Sequence, residues 1–416
     1  MTPDLTWIDT AFKSARPQAV AALLRYFRGD LDRAEEAFQE ACLRALQTWP
    51  GKGPPRDPAA WLIFVGRNSG VDAARRTSRH VALPEDDSLT SGEDVQDDMA
   101  ERLDGAQYRD DILRLLFICC HPDLPNTQQI ALALRIVSGL TVAEIASAFL
   151  VSESAMEQRI TRAKRRIAEA GTEFATPGAA ERAERLGVVA AMLYLLFNEG
   201  YSASGGDALI RQPLCDEAIR LARLLLRLFP AEPEIMGLTA LMLLQHSRAQ
   251  TRLDANGQIV LLEDQDRSRW DTDLIHEGLA LLDKAMRHKR PGPMQVQAAI
   301  AALHARARTA EDTDWPQIVQ LYGALEKLQP SPVVTLNRAV AVLKASGPEA
   351  ALEMIEPLAS DLQNYFYFFG VRGNLLLLLG REAEARVAFD RAIALARTPA
   401  EAAHIRQHLD KLSKTA

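Results

Sequence analysis

Three observations on this chain predict an all-α fold. Apolar residues recur at helical spacing almost throughout, alternating strand patterns are essentially missing, and proline and glycine are sparse inside the periodic segments. At 416 residues the chain exceeds one ordinary core, so two or three domains are expected. A formal net charge of -7 argues against a surface coated for non-specific nucleic-acid binding. The four cysteines (Cys42, Cys119, Cys120 and Cys215) do not make a disulfide framework in a chain of this size. Cys119-Cys120-His121 invites a metal reading, but no second ligand pair stands at zinc-site spacing, so apolar packing is expected and no metal or cofactor. The N-terminus carries no basic-then-apolar leader, and the longest greasy stretch, Tyr365 to Leu379, is broken by Arg372. A cytoplasmic protein with no membrane partner is the expectation.

The first clearly two-faced helix is Leu31–Trp49. Leu31, Ala34, Phe38, Cys42, Ala45 and Trp49 form its apolar stripe, while Asp32, Glu35, Glu36, Gln39 and Glu40 form a separate acidic stripe. Such a face is either solvated surface or a docking site for a basic partner. A break at Pro50–Pro58 contains the loop Gly51 to Arg56, and a helix bearing Trp61, Arg67, Asn68, Arg75 and Arg76 follows. Arg67 lies near Trp61 in projection, which suits phosphate contact beside base stacking. Trp61 could equally belong to the core.

Residues 85–111 hold 11 acidic against 2 basic side chains, and that imbalance reads as a flexible acidic linker between two mildly basic segments. Thr141 and Glu144 then make a capping box that starts a short helix with Val142, Ile145, Ala146 and Phe149 facing inward. After a turn near Val151, Met156, Ile160, Ala163 and Ile167 fall within an arc of about 60° on the next helix and form its buried stripe. The opposite arc carries Ser154, Gln158, Thr161, Arg162 and Arg165, with Arg159 and Arg166 at its edge and Ser152 at its start. Donors of this kind suit base edges and phosphates in a major groove, so the pair reads as a DNA-recognising helix-turn-helix.

A break at Gly171–Gly178 ends that half, and the remainder repeats. Gly373, Ala385, Phe389 and Ala392 stand 34 residues after Ala339, Ala351, Ile355 and Leu358, one for one. That period, with small residues where helices cross, predicts a tetratricopeptide-like solenoid. Fainter copies end at Pro230 (Ala218, Ala222, Leu225) and Pro330 (Ile318, Tyr322, Leu325), and a polar insert runs from Gln250 to Trp270. Asn198, Glu199, Tyr201 and Asp207 raise the alternative of an enzyme in this half. No His or Cys constellation, phosphate loop or nucleotide fingerprint accompanies them, so a helix-end turn is the expected role and no catalysis.

The residues from Asp30 to Ala41 with Trp49-Pro50, then Ala60-Trp61-Leu62, Arg67-Asn68, Asp72 and Arg75-Arg76, resemble region 2 of the bacterial sigma-70 family. Leu140 to Ala146, with Arg159-Ile-Thr-Arg162-Ala-Lys164, resembles its region 4. The chain is thus similar to an extracytoplasmic-function sigma factor with a tetratricopeptide-like extension. The resemblance implies region 2 at 1–82, an acidic linker at 83–107, region 4 at 108–172 and a regulatory repeat domain at 178–416. It implies further that Asp32, Glu35, Glu36, Gln39 and Glu40 dock on the clamp helices of the RNA polymerase largest subunit, with the flap as a second polymerase contact. Arg56, Trp61, Arg67, Asn68, Arg75 and Arg76 would read and open the −10 element of promoter DNA. Ser152 to Arg166 would read the −35 element. The linker from Glu85 to Asp111 would thread toward the active-site and RNA-exit channel, and the repeats would modulate initiation or hold a protein or peptide partner. The main rival is a helix-turn-helix activator with a repeat sensor, which would need no promoter-opening module.

Overall fold

The computed structural model describes residues 6–78, 105–170, 179–201, 212–254 and 259–396, apart from 54, 122 and 150, and parts of 401–409. Two compact units divide the chain, Met1–Leu195 and Leu196–Ala416. Among the described residues there is no β-strand, only an isolated bridge between Leu253 and Ile259. No helix among them is long and apolar enough to cross a membrane.

In the first unit, α1 (Thr6–Tyr26), α2 (Leu31–Lys52) and α3 (Pro58–Ser78) pack on one another in all three pairings. Asp30 caps α2 by accepting from the Arg33 N–H at 3.1 Å, and Asp57 caps α3 through Ala60 at 3.0 Å. Each supplies an acceptor to an orphan first-turn donor. The apolar stripe of α2 is realised, with Leu31, Ala34, Phe38, Ala45 and Trp49 buried. The helix runs on through Pro50 to Lys52, where the sequence suggested a break. Proline in the last turn forfeits only its own bond to the preceding turn. Gly53, at φ 80°, ends the helix with its N–H on the Trp49 carbonyl at 2.8 Å.

The next helix, α4 (Gly105–Cys119), corrects one expectation. Residues 105–111, assigned to the threading acidic linker, form its first turns, and α4 packs on α1. Asp111 is buried against Arg25 of α1 at 2.9 Å, with Arg114 of its own helix at 3.7 Å. Ile112, Leu115 and Leu116 follow inside the core, so this stretch gains more by packing than by hydration. The rest of the acidic linker, 79–104, lies outside the described residues. Cys119 and Cys120, which end the helix and begin its exit, are core side chains. Burial holds the Cys119 thiol well above its ordinary pKa and pushes Cys120 up to about 12.

Past α4, α5 (Asn126–Ala133) continues into a π-helical turn at Leu134–Ser138, then come α6 (Val142–Ala148) and α7 (Glu153–Ala170). The capping box is present as read: Glu144 N–H donates to Thr141 Oγ1 at 3.1 Å, and Thr141 N–H to Glu144 Oε2 at 2.7 Å. Ile145 and Ala146 of α6 are buried, and α6 and α5 both pack on α7 through Met156, Ile160, Ala163 and Ile167.

Helix α8 (Ala179–Tyr201) leads into the second unit, a succession of helices each packed on its neighbour: α9 (Gln212–Leu228), α10 (Pro233–His246), α11 (Thr272–Arg287), α12 (Pro293–Arg306), α13 (Trp315–Leu328), α14 (Pro332–Ser346), α15 (Pro348–Ile355), α16 (Phe366–Leu378) and α17 (Glu382–Leu395). The positions matched by the 34-residue shift share one core. Ala339, Ala351, Ile355, Ala385, Phe389 and Ala392 are fully buried, with Leu358 packed against them. Glycine is required at Gly373, where a Cβ would stand 2.5 Å from Phe389 Cε1, and at Gly237, where it would meet the Gln295 backbone nitrogen at 2.7 Å. The polar insert is built into this unit. Trp270 Nε1 donates to Thr251 Oγ1 at 3.1 Å, Arg267 reaches the carbonyls of His304 at 2.7 Å and Ala307 at 3.0 Å, and Glu263 pairs with Lys344.

Candidate nucleic-acid interface

Helix α7 presents a continuous polar face. Ser152, Ser154, Gln158, Thr161, Arg162, Arg165 and Arg166 are exposed and Arg159 is partly so, while the opposite stripe is buried. Ser152 Oγ accepts from the Ala155 N–H at 3.3 Å and fixes the helix start. Arg162 and Arg165 keep only weak local partners, Gln158 at 3.4 Å and Glu169 at 3.5 Å. Both can exchange these for a base edge or phosphate. Arg166 is committed differently: it donates to the Asp123 carbonyl at 2.9 Å.

The predicted region-2 residues separate into two groups. Trp61 is part of an aromatic cluster, its ring 5.3 Å from and edge-on to Trp49, which also stacks with Trp7 at 6.2 Å. It retains partial exposure. Arg67 does not pair with Trp61: its guanidinium lies 5.2 Å from the Tyr26 ring, and burial lowers its pKa. Asn68 and Arg56 are exposed. Arg75 and Arg76 fall on α3, and their side chains lie outside the described residues.

The acidic stripe of α2 is also divided. Asp32, Glu36, Gln39 and Glu40 are exposed, but Glu35 is only 5% so. Glu35 sits in a cage of cations from three other elements. Arg16 of α1 reaches Oε1 at 3.1 Å, Lys164 of α7 reaches Oε2 at 2.6 Å, and Arg135 of the π-turn stands at 3.9 Å. Lys164 also bonds Asp32 at 2.7 Å. The open stripe expected at Glu35 is therefore closed in this structure, where three cations stand in for the water that the buried carboxylate gives up. Burial opposes the charge on Lys164, yet Glu35 and Asp32 together outweigh it and hold its pKa above the lysine value.

Sequence reasoning missed Arg16, Arg135 and Lys164. Lys164 follows Ala163 of the buried stripe and precedes the outward Arg165, so periodicity leaves its direction open. The signal for Arg16 lies in the π-turn, which no apolar pattern announces. Its widened ring leaves the carbonyls of Ile136 and Arg135 to accept from Arg16 at 3.0 and 3.2 Å. Gly139, at φ 75°, closes that turn, and a Cβ there would stand 2.6 Å from Arg16 Cδ. Missed too were Leu43 and Leu46, 57% and 44% exposed, which continue the Glu36–Glu40 face along α2.

The described residues form a helical protein with a helix-turn-helix pair, α6 and α7, and a second, acidic-faced bundle. The chain matches sigma-70 region 2 over residues 12–80 and sigma-70 region 4 over 114–167. It belongs to the sigma-70 family of sigma factors, non-enzymatic regulators whose partners are RNA polymerase and promoter DNA. Residues 185–286 match a family of unknown function, DUF6596. The chain is 69% identical over 410 residues to an uncharacterized protein of Rhizobium meliloti (strain 1021), covering 99% of this chain and 97% of that one.

Proposed function

We propose that the chain is a sigma factor of the extracytoplasmic-function type, in the cytoplasm, whose C-terminal helical repeats, tetratricopeptide-like in design, modulate initiation. The observation that carries the reading is the row of exposed donors on α7 opposite a fully buried stripe, joined in one chain to an acidic-faced bundle. In this reading residues 1–82 bind polymerase core and the −10 element, and 108–172 read the −35 element. Asp32, Glu36, Gln39 and Glu40 meet the basic clamp helices, with Leu43 and Leu46 giving that contact an apolar part. Glu35 joins them only when its cage opens.

Replacing Arg162 or Arg165 by alanine is expected to weaken upstream-element binding by about 1–3 kcal/mol while core affinity holds. Footprinting beside core titration separates the two, and full protection in both variants would remove α7 from the DNA. Reversing Glu36 and Glu40 to lysine should lower core affinity with circular dichroism unchanged, since both lie off the apolar stripe. Core binding that is indifferent to the reversal places the docking face elsewhere. Polymerase core plus this protein alone on a promoter distinguishes a sigma factor, which initiates, from an activator, which does not.

A further inference from the structure

The motif Asn198-Glu199-Gly200-Tyr201 at the end of α8 is not used by the sigma-factor reading. Tyr201 is 8% exposed, and its ring is sandwiched. Phe197 stacks on one side at 5.4 Å and 19°, and the Arg252 guanidinium carbon lies 3.6 Å from the ring centroid. Arg248 approaches the same ring at 5.6 Å. Arg252 also donates to the Tyr201 carbonyl, which fixes the guanidinium in place.

Two features set this cluster apart. The first is missing countercharge. Three other partly buried arginines of this unit have a carboxylate (Arg220 with Glu217 at 2.7 Å, Arg338 with Glu326 at 2.6 Å and Arg372 with Glu356 at 3.0 Å), and Arg267, which has none, places its donors on two carbonyls and the Thr313 hydroxyl. Among the described residues neither Arg248 nor Arg252 has one. Burial pushes Arg252 below the usual arginine pKa, and Arg248 adds to that. A largely buried cation that has no carboxylate among the described residues and lies near a second cation favours an anion joining them. The second feature is the Tyr201 hydroxyl, which is buried with no hydrogen-bond partner. A hydroxyl in that state lacks a bond it would have in water.

We infer that Arg248, Arg252 and Tyr201 form a binding site for the oxyanion group, phosphate or carboxylate, of a small molecule. Two planar guanidinium forks match such a group, and a phenol supplies a third donor. The burial of Tyr201 and Arg252 excludes a protein surface as the ligand. The site lies in the second unit, so it stands whether or not the sigma-factor reading does.

The test is thermal unfolding of the full-length protein titrated with inorganic phosphate, or with succinate, against sodium chloride of equal ionic strength. A saturable rise in Tm is expected with at least one of them, and which one identifies the group. Arg248→Gln and Tyr201→Phe, the latter keeping the stacked ring, should each weaken that response at least tenfold while melting normally in chloride. Arg162→Ala, which removes a cation from α7, should leave it intact. No saturable response to either anion overturns the proposal, as does a response that survives in Arg248→Gln or is lost in Arg162→Ala.

Discussion

Replacing Glu35 by alanine is expected to destabilise the first unit by about 3–5 kcal/mol, because it strands Arg16 as an uncompensated buried cation. Arg16 and Glu35 expose only 10% and 6% of their side chains. The guanidinium also holds the two π-turn carbonyls, so its displacement loosens the turn that ends at Gly139. Asp32→Ala is the matched control. Asp32 bonds the same Lys164, but its side chain is 77% exposed, and an exposed ion pair contributes about 0–1 kcal/mol. Urea unfolding followed by tryptophan fluorescence, with Trp270 and Trp315 replaced by phenylalanine, reports on this unit through Trp7, Trp49 and Trp61. Equal losses from the two carboxylates would show that burial of the cage contributes nothing.

In the second unit the largest loss is expected at Phe389, which is fully buried in the core shared by α14 to α17. Phe389→Ala should cost about 3–5 kcal/mol, from lost transfer energy plus the cavity left behind. The same ring excludes a side chain at position 373, so Gly373→Ala should be destabilising alone and milder when combined with Phe389→Ala. A double-mutant cycle by thermal unfolding measures that coupling. Additive losses would mean that the ring and the glycine do not constrain each other.

These two sites mark the limits of what the residue pattern conveyed. Phe389 and its partners were legible because a helix exposes its period: the shift of 34 residues aligns Gly373 with Ala339 and Ala385 with Ala351, and all but the exclusion of a Cβ at Gly373 follows from that. The same logic gave the buried stripes of α2 and α7 and the capping box at Thr141. Glu35 was not legible. Its place on the helical wheel is beside the true acidic face, and only cations arriving from α1, the π-turn and α7 decide that it is buried. Long-range charge pairing leaves no periodic trace in a sequence, and neither does a change from α to π winding. For the same reason the helical projection, which sets Arg67 near Trp61, does not show that Tyr26 from another helix lies against its guanidinium.

The insert between α10 and α11 has a consequence for how the repeats come apart. In an array whose members touch only their neighbours, end units fray singly and melting is gradual. Here Glu263 is tied to Lys344 across 81 residues, and Arg267 is tied to the segment from His304 to Thr313. The Arg267 bonds tie the insert to the end of α12 and the segment after it, and the exposed Glu263–Lys344 pair adds a weaker link to α14. The second unit should therefore melt from α10 to the start of α13 more cooperatively than a bare array of repeats.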